Sequence, residues 1–287
     1  MSHESSLPGT RAASASAVPA AAAPAVDRGA LERKLLKATG SAVGDFGLIA
    51  DGDRLLVGLS GGKDSYALLD LLLLLQRRAP VRFTIATANL DPGYPDYRPD
   101  VVAEHARSRG VEIHLLKAPV AQLVAEKLRP GQVACPLCSR MRRGALYSLA
   151  RELGANKLVL GHHLDDALET LLMNLFYAGT LRAMPPLLRR AELPHVIRPL
   201  CYALERDLRA YAEVQAYPVI PCASPSCADA DRRRQVIKRT LATLEEAHPD
   251  LKHQMRRALG NVQPSGLFDR RLLEALGGAA AADEADE

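Results

Sequence analysis

The chain has no tryptophan and only four phenylalanines and eight tyrosines among its 287 residues. With 48% apolar residues but only 4% aromatics, its core must be packed from aliphatic side chains. No apolar run reaches the roughly eighteen residues a membrane-crossing helix needs, so no span is expected. Residues 1–26 are rich in Ala, Ser and Pro and have no compact apolar stretch after a basic start, so they do not read as a secretory signal. The expectation for 1–27 is a disordered tail, and for 271–287 an alanine-rich, acidic, flexible one. Cysteine is scarce and odd in number, at five, which argues against a fully paired disulfide framework. A reduced, cytoplasmic protein follows, and a C-x-x-C pair in that setting points to metal or redox chemistry. The formal charge of +4 is mild, so its distribution matters more than its size. Basic clusters stand at 140–143, 189–190, 232–234 and 256–257. They suit a polyanion such as RNA, or simply solvated helix faces.

What the chain does have is a strand, a glycine turn and a leucine helix in sequence. Residues 54–59 form a short apolar strand, 66–75 an apolar helix, and Ser60-Gly61-Gly62-Lys63-Asp64-Ser65 lies between them. A turn of this kind aims backbone N–H groups and a positive helix end at one point, and the glycines let an anion approach closely. Lys63 adds a charge, so phosphate is the expected guest. The Walker spacing G-x-x-x-x-G-K-[ST] is absent.

Further strands are expected at 82–89, 112–116, 157–161 and 195–198. Helices are expected at 31–46, 101–109, 120–128, 140–153 and 165–177. The 120–128 helix should end at Pro130-Gly131, and 92–99 reads as a proline- and tyrosine-rich loop. Alternating strands and helices imply an α/β fold: a parallel sheet with right-handed crossovers and helices on both faces. Such sheets bind nucleotides at the carboxyl ends of their strands. The Ser60 turn, 89–91 and 161–166 all fall there, so one site is expected.

Gly161-His162-His163-Leu164-Asp165-Asp166 places two carboxylates and two imidazoles at a strand end. That set suits Mg²⁺ beside ATP phosphates, although a helix cap alone would explain one of the aspartates. His163 is equally well read as a packing residue. Cys135-Pro136-Leu137-Cys138 precedes Arg140, Arg142 and Arg143, and Cys222 and Cys227 follow later. Three or four thiolates can hold an iron–sulfur cluster, or zinc if all four join. Cys201 reads as an ordinary buried thiol.

The order S-G-G-K-D-S resembles the PP-loop of the ATP pyrophosphatases. Followed by C-P-L-C-S-R-M-R-R-G, G-H-H-x-D-D, M-P-P, I-R-P-L and R-Q-V-I-K, it resembles the tRNA 2-thiocytidine synthetases over about residues 31–268. The resemblance implies a PP-loop thiolation domain at 28–270. It also implies an ATP-dependent tRNA sulfurtransferase that converts cytidine 32 of the anticodon loop to 2-thiocytidine. Its cofactors would be ATP, Mg²⁺ and a 4Fe-4S cluster on three cysteines, with sulfur from a cysteine desulfurase. Ser60, Gly61, Gly62, Lys63, Asp64 and Ser65 would grip ATP, and Lys63, Asp64, Asp165 and Asp166 would be catalytic. Cys135 and Cys138 would ligate the cluster, with the third ligand Cys222 or Cys227. The family pattern is a tight C-x-x-C followed by G-S-Q, where this chain has C-A-S-P-S-C; the Ile-Pro-Cys context favours Cys222. The base oxygen would attack the α-phosphate, and sulfur would then displace AMP at C2.

Neighbouring PP-loop activities such as lysidine formation or amide synthesis need no cysteines. Thiolation of another base such as uridine keeps every motif, and a zinc-stabilised RNA-binding protein is the non-enzymatic alternative. A homodimer is compatible with all of these readings.

Overall fold

A computed structural model describes residues 27–127, 135–221 and 232–276. The sheet order is β3-β2-β1-β4-β6-β5, with β1 Arg54–Gly58, β2 Thr84–Asp91, β3 Ile113–Lys117, β4 Lys157–Val159, β5 Leu187–Leu188 and β6 His195–Ile197. The first five strands in that order are parallel, and β5 runs antiparallel on the far edge. The expected parallel sheet therefore carries one antiparallel edge pair, set by the short return from Leu188 to His195.

Strand residues alternate between two buried layers. Leu55 and Val57 pack with α1 Arg28–Asp45, α2 Lys63–Arg78 and α7 Glu205–Val214, in a cluster that includes Leu35, Leu68 and Leu208. Leu56 faces the other way, onto Leu146 and Leu149 of α5 Cys135–Glu152. Burial on both faces explains why the strands read as continuous apolar runs. α2 is buried along most of its first three turns, from Ser65 to Leu72, which accounts for its leucine content. A third cluster joins Leu164 and Leu168 of α6 Leu164–Tyr177 to Leu204 and to Ile237 and Leu241 of α8 Arg232–Ala247.

Three differences from the sequence reading bear on function. The α5 helix starts at Cys135, five residues before the expected 140, so both cysteines sit on its first turn; proline is tolerated there because its missing N–H would have no helical partner. Strand β2 runs 84–91 rather than 82–89, because Thr84 to Asp91 are the residues that pair with β1 and β3. The helices α7, α8, α9 Leu251–Leu259 and α10 Arg270–Ala275 were not anticipated. The last of these occupies the start of the expected flexible tail and is capped by Asp269. Pro130-Gly131, Cys222, Cys227 and most of both tails lie outside the described residues. α3 Pro99–Ser108 and α4 Val120–Lys127 fall near their expected places.

Candidate functional site

The sheet order reverses between β1 and β4, which leaves a crevice at their carboxyl ends, where nucleotide sites form in open α/β sheets. The Ser60 turn leaves β1 at this point and the Gly161 segment leaves β4 beside it. Their contact is tight. A Cβ on Gly161 would stand 3.2 Å from the Asp64 carbonyl, so only glycine lets the two segments approach this closely. Gly61 has φ +82°, the left-handed region that glycine enters without strain.

The turn is locked by its two serines. Ser60 N donates to Ser65 Oγ at 3.2 Å, Ser65 Oγ donates to the Gly62 carbonyl at 2.8 Å, and Gly62 N donates to Ser60 Oγ at 3.3 Å. Among the described residues no side chain caps α2, whose N-terminus opens here, so the helix end remains suited to an anion. Buried Asn89, at the end of β2, donates to the Leu59 carbonyl at 2.7 Å and to Tyr97 OH at 2.6 Å, fastening the tyrosine loop to the site. Ile220 N donates to the Gly61 carbonyl at 2.9 Å, which pins the segment leading to Cys222 against the turn.

A cavity of about 550 Å³ lies over these strand ends. The Ser60 turn and Gly161 form one side; Ser139, Arg142 and Arg143 of α5 form another; Arg198 and Arg234 close it. Arg198 is 9% exposed and gives Pro185 O a 2.7 Å hydrogen bond, while its Nε has no partner among the described residues. Burial holds its pKa below the usual guanidinium value. His162 also faces the cavity, its Nδ1 without a partner among the described residues. Burial lowers its pKa to about 4; Asp166 opposes this, and the charges of Arg198 and Arg234 reinforce it. It is therefore a neutral imidazole at pH 7.

The two adjacent aspartates part company. Asp166 lines the cavity, accepts from Arg234 at 2.8 Å and closes a reciprocal cap with His163 at the start of α6. Asp165 turns away from it. Its Oδ2 accepts from Glu205 N at 2.7 Å, and its Oδ1 meets Lys252 Nζ at 2.7 Å. His163, read equally as a member of the site or as a packing residue, is the N-cap of α6, its Nδ1 accepting from Asp166 N.

Lys63 also departs from the expected picture. Its ammonium lies 3.0 Å from Asp64 and 3.3 Å from Glu205, facing a smaller adjoining cavity of about 340 Å³. Burial alone would lower its pKa, but the two carboxylates prevail and raise it. Glu205 likewise resists burial: the Lys238 hydrogen bond and the charges of Lys63 and Lys238 bring it to about 2. Asp64, Asp166 and Arg234 line both cavities and so form the wall between them. Asp64 Oδ1 is buried with no hydrogen-bond partner among the described residues, an unsatisfied carboxylate oxygen at a phosphate cradle.

Cys138 is half-buried on the first turn of α5, one residue before cavity-lining Ser139. Cys135 is three residues away on the same turn. Cys201 is buried elsewhere, and its thiol is pushed up to about 12 by that burial. Sequence reasoning assigned no role in the site to Arg198, to Arg234 beyond its place in the 232–234 basic cluster, to Glu169 or to Glu205. The first two lie in the quoted I-R-P-L and R-Q-V-I-K stretches, whereas nothing local marks Glu169, which accepts from Arg234 at 2.7 Å.

The PP-loop domain family matches residues 30–244. A tRNA-cytidine(32) 2-sulfurtransferase of Syntrophotalea carbinolica is 50% identical over 254 residues, covering 88% of this chain and 97% of that protein. The chain belongs to this PP-loop family. A second member, from Pseudomonas aeruginosa, is 45% identical over 251 residues, covering 87% of this chain and 91% of the other. Among solved structures, the U34-tRNA thiolase NcsA of Methanococcus maripaludis, described with its 4Fe-4S cluster, superposes with a TM-score of 0.65. It shares 20% sequence identity over 82% of this chain and 81% of its own, a likeness of fold. Among the described residues no helix is long and apolar enough to cross a membrane.

Proposed function

We propose that this chain is a cytoplasmic ATP-dependent tRNA sulfurtransferase that replaces the C2 oxygen of cytidine 32 with sulfur. The observation that carries the reading is a single cavity with the Ser60 turn on one side and the C-x-x-C end of α5 on another. Membership of the tRNA-cytidine(32) 2-sulfurtransferases supports the choice of base and reaction.

In this reading the turn amides and the α2 N-terminus bind the ATP phosphates, with Lys63 near enough to join them after leaving Glu205. The base oxygen attacks the α-phosphorus and pyrophosphate departs. Sulfur then bonds to C2 as the C–O bond breaks and AMP leaves. Arg198 and Arg234 stand where negative charge accumulates on the transferred group, and such fixed charges act most strongly where water is excluded. Neutral His162 offers a hydrogen bond without adding charge. Arg142 and Arg143 are placed for the RNA backbone, since a base in a loop must be splayed out to react. Asp165, buried against Lys252, braces the site from behind.

Two absent groups fit the residues. The unsatisfied Asp64 Oδ1, with Asp166 beside it, offers oxygen ligands of the kind Mg²⁺ takes. Cys135 and Cys138 would hold a 4Fe-4S cluster with Cys222, which follows Ile220 by two residues in the chain. Cys227 is the competing third ligand. When bound, the cluster supplies an iron position open to an external sulfur ligand. A cysteine desulfurase would furnish that sulfur.

Nucleoside analysis of tRNA from a strain lacking this protein tests the reading. Loss of 2-thiocytidine supports it; persistence in a strain without a second copy sinks it. In vitro, Cys135→Ala should abolish thiolation while leaving ATP affinity within about twofold, roughly 0.4 kcal/mol. If that variant loses ATP binding as well, the cysteines hold the fold rather than a cluster. Anaerobically purified protein that is colourless and carries stoichiometric zinc would remove iron–sulfur chemistry from the account.

A further inference from the structure

A second cavity, of about 740 Å³, lies next to the reaction cavity and has no part in the chemistry above. Chain segments far apart in sequence build it. Phe46 closes α1, Met184 and Pro186 precede β5, Tyr202 follows β6, and Arg256 and Arg257 come from α9. Its volume lies within the roughly 300–1,000 Å³ range of small-ligand sites. None of the described residues lining it is acidic.

Its chemistry is that of a base-stacking site. The Arg256 guanidinium lies 4.5 Å from the Tyr202 ring centroid, and Phe46 meets the same ring edge-on at 5.6 Å. Tyr202 OH donates to Asp45 at 3.0 Å, which fixes the ring. In a chain with so few aromatics, a tyrosine and a phenylalanine converging beside two arginines form the kind of surface on which unpaired bases stack. Arg257 is exposed at the mouth, where a backbone phosphate would follow the base.

The two cavities share a wall. Met184 lines both, and Pro185 between them accepts the hydrogen bond of Arg198 from the reaction side. Two cavities sharing a wall suit two consecutive nucleotides, one in each. We propose that this second cavity receives the unpaired base next to the modified nucleotide, stacked at Tyr202 and Arg256, with Arg257 on its phosphate. This rests on the tRNA reading above.

The test uses the full-length protein and an anticodon stem–loop RNA carrying 4-thiouridine immediately 5′ or 3′ of the target cytidine. Irradiation should cross-link one of the two to the segment around Tyr202 or to α9. In parallel, Arg257→Glu should raise the KM for RNA about tenfold, because it replaces a phosphate contact with a repelling charge. It should also lower the slope of log affinity against log salt by about 0.7, with kcat and the KM for ATP unchanged. Tyr202→Leu provides a second variant that keeps bulk but loses the aromatic face, and it should raise the same KM without altering the salt slope. Cross-links mapping only to other surfaces, or an unchanged RNA KM in both variants, overturn the proposal while thiolation itself stands. A doubled mass that Arg257→Glu abolishes would assign the face to a second copy of this chain and overturn it too. If the wild-type protein binds no anticodon stem–loop, the tRNA reading fails first.

Discussion

Replacing Asp165 and Asp166 one at a time should produce opposite defects, although the residues are adjacent and chemically identical. Asp165 is 5% exposed and ties three helices together through the Glu205 amide and Lys252. Asp165→Ala leaves that amide without its acceptor, at a cost of about 1–3 kcal/mol. It also removes one charge-assisted bond from Lys252, but Lys252 keeps Glu245 at 2.6 Å, so the full penalty of an abandoned buried charge is avoided. The expected loss is about 3 kcal/mol, or a fall of roughly 6–12 °C in melting temperature for a chain of this size. Asp166→Asn differs. Asparagine can still accept from His163 N, and Arg234 still has Glu169, so stability should fall by only about 1 kcal/mol. Release of AMP from ATP in the presence of tRNA should instead drop about a hundredfold, the scale of removing one fixed group at a developing charge. Urea unfolding and AMP release, measured on both variants, check the pair. An Asp165→Ala protein as stable as wild type yet inactive would refute the assignment. So would an Asp166→Asn protein with full activity.

Two further outcomes follow from the same geometry. Gly161→Ala would push a methyl to 3.2 Å from the Asp64 carbonyl and displace the phosphate turn; a fluorescent ATP analogue should bind about tenfold more weakly, with stability lowered by about 1–3 kcal/mol. His162 has a pKa depressed by burial to about 4, whereas in the unfolded chain it titrates near 6.5. Below pH 6.5 the unfolded state therefore takes up a proton that the folded state refuses, so stability present above pH 6.5 is lost as the pH falls towards 4. Urea midpoints across that window should decline more steeply for wild type than for His162→Gln, and parallel curves would contradict the assignment.

The elements legible in the sequence were those whose pattern is local. Strand β1 and helix α2 are apolar because both are buried on nearly every side, and two glycines mark the turn between them. Helix α7 was missed because its buried stripe is only Leu208, Tyr211 and Ala212, scattered among charges. Helix α8 was missed for the same reason: it contributes Ile237 and Leu241 to the core, and its first turn is a run of arginines. The α5 helix begins five residues before the expected start, with Pro136 in its first turn, where a proline costs no helical hydrogen bond. Which aspartate faces the cavity could not be read from spacing. Neighbours on a helix point about 100° apart, and the choice depends on how α6 docks against Leu204 and α8, a contact between residues far apart in the chain.

The wall between the two phosphate-side cavities constrains how ATP can bind. Asp64 and Asp166 present carboxylates to the space the phosphates would enter, and Glu169 and Glu205 stand behind them. Glu205, held at about 2, stays ionised at any physiological pH and already engages Lys63, Lys238 and Arg209. A polyphosphate arriving alone would meet this acidic set with Lys63 turned away. Two changes would make binding favourable under the proposed reading: the positive charge of a Mg²⁺ that Asp64 and Asp166 would hold, and transfer of Lys63 from Glu205 to the phosphates. Glu205 can release Lys63 without becoming an unpaired buried charge, because Lys238 and Arg209 remain at 2.7 and 3.2 Å. The cluster of cations around one carboxylate is thus what leaves the loop lysine available, and the residue that makes this possible is one that the PP-loop motif does not contain.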